Sequence, residues 1–224
     1  MSGTLTRHWY RKGSGPRPTD FADSLYLNEV ELQCEFAHRS FGQMQEVFAT
    51  NPKHPSLLAL AHMLLVFAGN VSKLLTSSKD SAPKTTARAT RLRAALGVKA
   101  EEFSTVRRAR NFFEHFDERL DKCIGGSDGL VIHRLIQDHE PNEITLDDGR
   151  TFEPKFMQLL NTTTWGVNLY GERFSLPEVL HLLQAVQTRV HVALQKQGVP
   201  GYEAVPNPSL KRDAAKARRP LAPH

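Results

Sequence analysis

Apolar residues recur at three- and four-residue spacing through most of the first 123 positions, the signature of helices that each bury one stripe. Asp20 can cap a first helix running to about Ala49, with Leu25, Leu32, Phe36 and Met44 among its apolar positions. Asn51-Pro52-Lys53-His54-Pro55 ends it, because proline donates no amide proton and biases the residue before it away from helix. A second helix over about 56–77 is apolar on most sides, as the central element of a bundle is (Leu57, Leu58, Leu60, Met63, Leu64, Leu65, Val66, Phe67, Val71, Leu74). A third, over about 85–96, stops at Gly97, a natural C-terminal cap. A fourth runs from about Ala100 to Cys123 and stops at Gly125-Gly126.

The period then changes. Glu143-Ile144-Thr145-Leu146 and Arg150-Thr151-Phe152 flank Asp147-Asp148-Gly149 and predict a β-hairpin. Trp165 to Leu169 and Arg173-Phe174 around Tyr170-Gly171 predict a second. Ser175-Leu176-Pro177-Glu178 has the form of a capping box with proline early in the helix, and opens a last helix to about Gln197, before Gly198. The expected fold is mainly α: a four- to five-helix bundle over 20–200 with a small β insertion at about 140–175. Residues 1–19 and 201–224, rich in Gly, Pro, Ala, Ser and Arg, are expected to be a flexible basic N-terminal segment and a disordered basic tail.

Composition narrows the class. With 224 residues, 40% hydrophobic and 24% charged, the chain can bury a sizeable core, which excludes wholesale disorder. Two cysteines, Cys34 and Cys123, are too few for a disulfide scaffold, and both fall on predicted core faces. The polar, basic first residues do not form a signal peptide, and the run Leu57–Ala68, interrupted by His62, is shorter than the about 20 residues a bilayer needs. A cytoplasmic protein with no membrane partner is expected. The net charge of +5 belongs to the ends: Arg7, Arg11, Lys12 and Arg17 against Asp20, and Lys211, Arg212, Lys216, Arg218 and Arg219 against Glu203 and Asp213, leave the body near neutral. Basic ends suit non-specific contact with RNA phosphates.

The fourth helix holds the candidate chemistry. At about 100° per residue, Val106, Ala109, Phe112, Phe113, Phe116, Leu120 and Cys123 share one arc facing the core. Arg110, Asn111, Glu114 and His115 lie on the opposite, outward arc. Guanidinium matches a phosphate in bidentate fashion and stays charged, while imidazole exchanges protons near neutral pH. Together they suit RNA cleavage in which the 2′-hydroxyl is the nucleophile and negative charge builds on phosphorus. Asn111 could orient the phosphate or the imidazole, and Glu114, one turn on, could hold the guanidinium. An i,i+4 ion pair beside a surface histidine is the bland reading of the same residues.

Arg110-Asn111-x-x-x-His115 resembles the motif of the HEPN superfamily (higher eukaryotes and prokaryotes nucleotide-binding), whose catalytic members carry Arg, four to six residues, then His, often with a polar residue after the Arg. The pattern alone recurs elsewhere in the chain, as in Arg108–His115, Arg134–His139, Arg218–His224 and Arg219–His224. Only Arg110–His115 combines the asparagine with a long amphipathic helix. The resemblance implies an α-helical bundle that dimerises so that two motifs meet in a cleft. It implies metal-independent endoribonuclease activity with no cofactor, in toxins or antiviral defence, with Arg110 and His115 catalytic and Asn111 as the polar residue after the arginine; Glu114 joins the catalytic set from its spacing to Arg110. RNA, a second copy of the chain, and an antitoxin or regulatory protein are the partners it implies. The β insertion and the long tail depart from the pattern, and a helical dimerisation module without nuclease activity stays open as the alternative.

Other candidates are weaker. Arg107, Arg108 and Arg119 are placed to bind RNA backbone near the motif. His133, Asp138, His139 and Glu140 are metal-ligand types without the spacing of a helical metal site, so no metal is expected. Trp165 and Tyr170 could stack a base, or pack onto the bundle.

Overall fold

The computed structural model describes residues 18–77, 81–125 and 131–197. Residues 1–17 and 201–224 of the expected basic ends, Gly126, Gly198 and the side chain of Cys123 lie outside the described residues; Pro18 and Thr19, expected in the flexible segment, already belong to the first helix, which starts before the Asp20 cap expected from sequence. Helix α1 spans Pro18–Thr50 and α2 Ser56–Leu75. The turn between them is fixed locally, with Asn51 Oδ1 accepting from Lys53 N at 3.1 Å and His54 Nδ1 beside Ser56 Oγ at 2.7 Å. Helix α3, Pro83–Leu96, carries proline in its first turn, and its cap Gly97 takes the left-handed φ of 61°. It is tied to α1 by Arg91, whose Nε and Nη2 donate to the two oxygens of Asp23 at 3.0 and 2.9 Å. The last helix, α6 (Leu176–Lys196), is capped by Ser175 Oγ accepting from Glu178 N, as its sequence predicts.

The core face of α1 is Leu27, Val30, Cys34, Ala37 and Met44, so Leu25 and Leu32, expected among its apolar positions, are exposed instead. Burial, with Glu31 nearby, pushes the Cys34 thiol up to about 12, which leaves it an inert core group. Helix α2 is long and apolar enough to cross a membrane by length and composition, beyond the shorter run read from sequence, and half of that stretch is buried in the bundle. Its Met63 and Val66 are exposed, so it too has a solvent side. His62, on α2, lies edge-on to Phe113 at 5.6 Å, and its Nε2 is buried without a hydrogen-bond partner. Burial, aided by the charge of Arg134, lowers its pKa below the ordinary 6.5. The folded chain therefore refuses a proton that the unfolded chain takes, and the stability this neutral imidazole contributes is lost as pH falls below about 6.5. We expect the melting temperature to fall between pH 7.5 and 5.5, and to fall less in His62→Gln. Parallel melting curves across that range would contradict this.

The segment predicted as one helix over 100–123 is three pieces: a 3₁₀ turn at Ala100–Phe103, α4 at Ser104–Glu114 and α5 at Phe116–Gly125, broken at His115. Val106, Ala109 and Phe112 are buried as expected, whereas Phe116 is 52% exposed because the break carries α5 off the shared arc.

Among the described residues beyond α5 lie eight short strands: β1 Val131–Ile132, β2 Leu135–Gln137, β3 Ile144–Thr145, β4 Thr151–Phe152, β5 Lys155–Phe156, β6 Gln158–Asn161, β7 Gly166–Leu169 and β8 Glu172–Ser175. Strands β3 and β4 pair antiparallel, as do β7 and β8, around the turn residues singled out in the sequence. The insertion also starts earlier than position 140 and is more than two hairpins. Residues 131–137 run parallel to 155–161, through β1 with β5 and β2 with β6, and the β3–β4 hairpin sits in the crossover. The result is a four-stranded sheet in the order β2-β6-β7-β8. Leu160, Val167, Leu169 and Phe174 bury its inner side in the same core as the helices. Trp165 packs between Phe41 and Phe48 of α1, with ring centroids 5.5 and 5.1 Å away, the packing role of its two readings.

Candidate functional site

Helix α4 lies between α2 and the sheet. On one side Phe112 meets Tyr170 and Phe174, at 5.5 and 6.4 Å between ring centroids. On the other, Arg110 lies against Gly69 of α2, so closely that a Cβ added to Gly69 would stand 3.3 Å from that of Arg110. Arg110, expected on an outward face, is therefore largely covered, with its side chain 16% exposed. The side opposite the sheet-facing arc is a second packing surface rather than open solvent.

The guanidinium is held within its own helix. Nη2 and Nε donate to Asn111 Oδ1 at 3.1 and 3.3 Å, and Nε lies 3.6 Å from Glu114 Oε2. The other Glu114 oxygen meets Lys73 Nζ of α2 at 2.8 Å. That hydrogen bond, with the charges of Lys73, Arg110 and His115, holds the carboxyl below its ordinary range. Glu114 thus holds the guanidinium, as read from its spacing, and also ties α4 to α2. Asn111 is turned to Arg110 rather than to the imidazole.

His115 occupies the break, with φ −129° and ψ 34°, and its N–H is shared between the carbonyls of Asn111 and Phe112 at 3.2 and 3.3 Å. Asp117 and Glu118 restart the helix as α5, acids in a first turn where the helix dipole favours them. The His115 side chain is 58% exposed, and Nδ1 lies 3.4 Å from Glu118 Oε1. It stands with Asn111 on the rim of a cleft of about 790 Å³ between the α4–α5 junction and the sheet. Arg110 does not line this cleft; it reaches it through Asn111.

Among the described residues four cations border the cleft, Arg119 and Lys122 from α5 and Lys155 and Arg173 from the insertion, against the carboxylates of Glu118 and Glu140. Of the three arginines expected to bind backbone, only Arg119 is here. It donates to Glu172 Oε1 at 3.0 Å and covers the Phe112 ring at 5.4 Å. Arg108 lies over Phe174, 4.0 Å from Glu172, and Arg107 is exposed on α4 outside the cleft. Among the described residues no group of three or more His, Cys, Asp or Glu could hold a metal; His139 pairs only with Asp138, at 2.6 Å. No family model, curated protein or solved structure matches this chain.

Sequence reasoning missed most of the opposite wall. Asn168, Lys155 and Arg173 join His115 only through the parallel crossover, which leaves no local pattern. Tyr170 did carry a signal, since it stands before glycine in a two-residue turn where asparagine is the usual residue.

Proposed function

We propose that this protein binds RNA in the cleft between the α4–α5 junction and the sheet and cleaves it without a metal ion, as its resemblance to HEPN endoribonucleases implies. The observation that carries the reading is the helix break, which presents an exposed imidazole at the edge of a cation-lined cleft. In the reaction the 2′-hydroxyl attacks the adjacent phosphorus and its proton passes to His115. The bond to the 5′-oxygen breaks, and that oxygen takes a proton from solvent. Arg119 supports the phosphate electrostatically, and Arg110 acts through Asn111, which it fixes at the cleft. The purified protein is expected to cut single-stranded RNA in excess EDTA, leaving 2′,3′-cyclic phosphate and 5′-hydroxyl ends. Cleavage that chelation abolishes, or 3′-hydroxyl products, would overturn this chemistry.

The second reading, a helical dimerisation module without nuclease activity, is favoured by Arg110 itself, whose guanidinium is taken up by Asn111 and Glu114 in the α2–α4 groove. The exposed Phe116 beside His115 would then anchor a second copy. That reading predicts a dimer by light scattering, a monomer for Phe116→Asp, and intact RNA with either.

A further inference from the structure

We infer that the cleft wall facing His115 is a base-reading pocket whose ligand is guanine; the inference rests on the reading of the cleft as an RNA site. Tyr170 and Gly171 close β7 onto β8 with φ of 50° and 88°, the two left-handed residues of a type I′ turn. Asparagine enters that conformation readily, whereas a bulky aromatic is strained there. The strain is held by two hydrogen bonds, from Gly171 N to Asn168 Oδ1 at 3.0 Å and from Tyr170 N to Met157 O at 2.9 Å. The turn sets the Tyr170 ring in the cleft, half-buried and backed by Phe112 at an interplanar angle of 31°. A ring supported from behind and borne on a fixed turn is a platform on which a base stacks.

Beside this platform stands a carboxylate. Glu140 Oε1 accepts from Asn168 Nδ2 at 2.8 Å and from Arg173 Nη2 at 3.0 Å. Asn168, only 6% exposed, thus spends its carbonyl oxygen on the Tyr170 turn and its amide on Glu140, fixing the two to each other. A carboxylate offers about four acceptor sites, two on each oxygen, so with both donors on Oε1 it is Oε2 that keeps capacity for further donors. Glu140 is 26% exposed and stands between two open volumes, the cleft and an adjoining cavity of about 340 Å³. Guanine alone among the four RNA bases presents two adjacent N–H donors on its Watson–Crick edge, N1–H and the N2 amino group, which can converge on the two acceptor sites of Glu140 Oε2. Adenine and cytosine place an acceptor beside their amino group, and uracil has one N–H between two carbonyls. Cations around the rim then serve the flanking phosphates.

The test uses the full chain and fluorescent pentanucleotides UUXUU with 2′-deoxy sugars throughout, so that no position can be cut, and with guanine, hypoxanthine (the inosine base), adenine or cytosine at X. Guanine is expected to bind about tenfold tighter than adenine or cytosine, and inosine, which lacks the N2 amino group, to lose most of that margin. Glu140→Gln should bring guanine down to adenine. Tyr170→Asn should weaken all four by about tenfold while the chain still melts cooperatively, since Asn-Gly suits the turn and offsets part of the lost contact with Phe112. Equal affinities for the four, equal affinity for guanosine and inosine, or no binding to any would overturn the pocket. The cleavage reading is scored separately on the all-ribose strands: cutting without base preference refutes the pocket and leaves the nuclease, whereas guanine-selective binding without cutting supports the pocket and refutes the nuclease.

Discussion

His115→Ala is expected to lower RNA cleavage by about 10²–10⁴-fold, the usual contribution of a positioned acid or base, while leaving thermal stability unchanged. The two outcomes separate because of where the residue sits. Its side chain is 58% exposed, and the 3.4 Å approach to Glu118 is a surface contact of the kind that adds little to stability. The break lies in the backbone angles of His115, and its N–H keeps bonds to the carbonyls of Asn111 and Phe112 that alanine retains. Arg110→Ala should act differently. If the guanidinium works through Asn111, then Arg110→Ala and Asn111→Ala lose similar amounts of activity, and the double variant loses no more than either. Additive losses in kcat/KM would instead mean that Arg110 meets the phosphate itself. Wild-type rates for His115→Ala would remove the imidazole from the mechanism.

The largest effect on stability is expected at Phe112. It is almost fully buried and touches the rings of Phe113, Tyr170 and Phe174, with the Arg119 guanidinium over its own ring. Through it α4 is joined to the sheet. Phe112→Ala should cost about 3–5 kcal/mol, since the transferred area is lost and rings packed from two elements collapse poorly into the space. Urea denaturation gives the value directly, and Phe116→Ala, on the exposed side of the break, serves as the control at within about 0.5 kcal/mol. RNA affinity should fall with Phe112, because Tyr170 and Arg119 both lean on it. A loss below about 1 kcal/mol would mean that the sheet is not seated on α4 as described.

The helices were legible where local rules decide them: Pro52 and Pro55 after α1, Gly97 after α3, the Ser175 cap before α6. The break at His115 was not, because the apolar period continues through it from Phe112 to Phe116, and a one-residue departure leaves residue type unchanged. The covering of Arg110 was missed for a related reason. Helical periodicity locates one buried stripe, but α4 is packed on two sides, and the second contact depends on Gly69 about forty positions earlier. A lone glycine within the apolar α2 pattern was the available sign of close approach. The hairpins were visible in their turns, whereas the parallel pairing of 131–137 with 155–161 depends on register between distant segments. Hence Asn111, His115 and Arg119 were singled out in advance on the helical side of the cleft, whereas Glu118, Lys122 and most of the half on the sheet were not.

RNA is expected to occupy the cleft between the helix break and the sheet. Hydrogen exchange of the full chain, with and without an oligonucleotide made uncleavable by 2′-deoxy sugars, reads out where it binds. Protection is expected in peptides covering 111–122, around Lys155 and over 168–173, with α3 and α6 unchanged. Protection confined to the exposed side of α1 and α2, or none at saturating RNA, would contradict it.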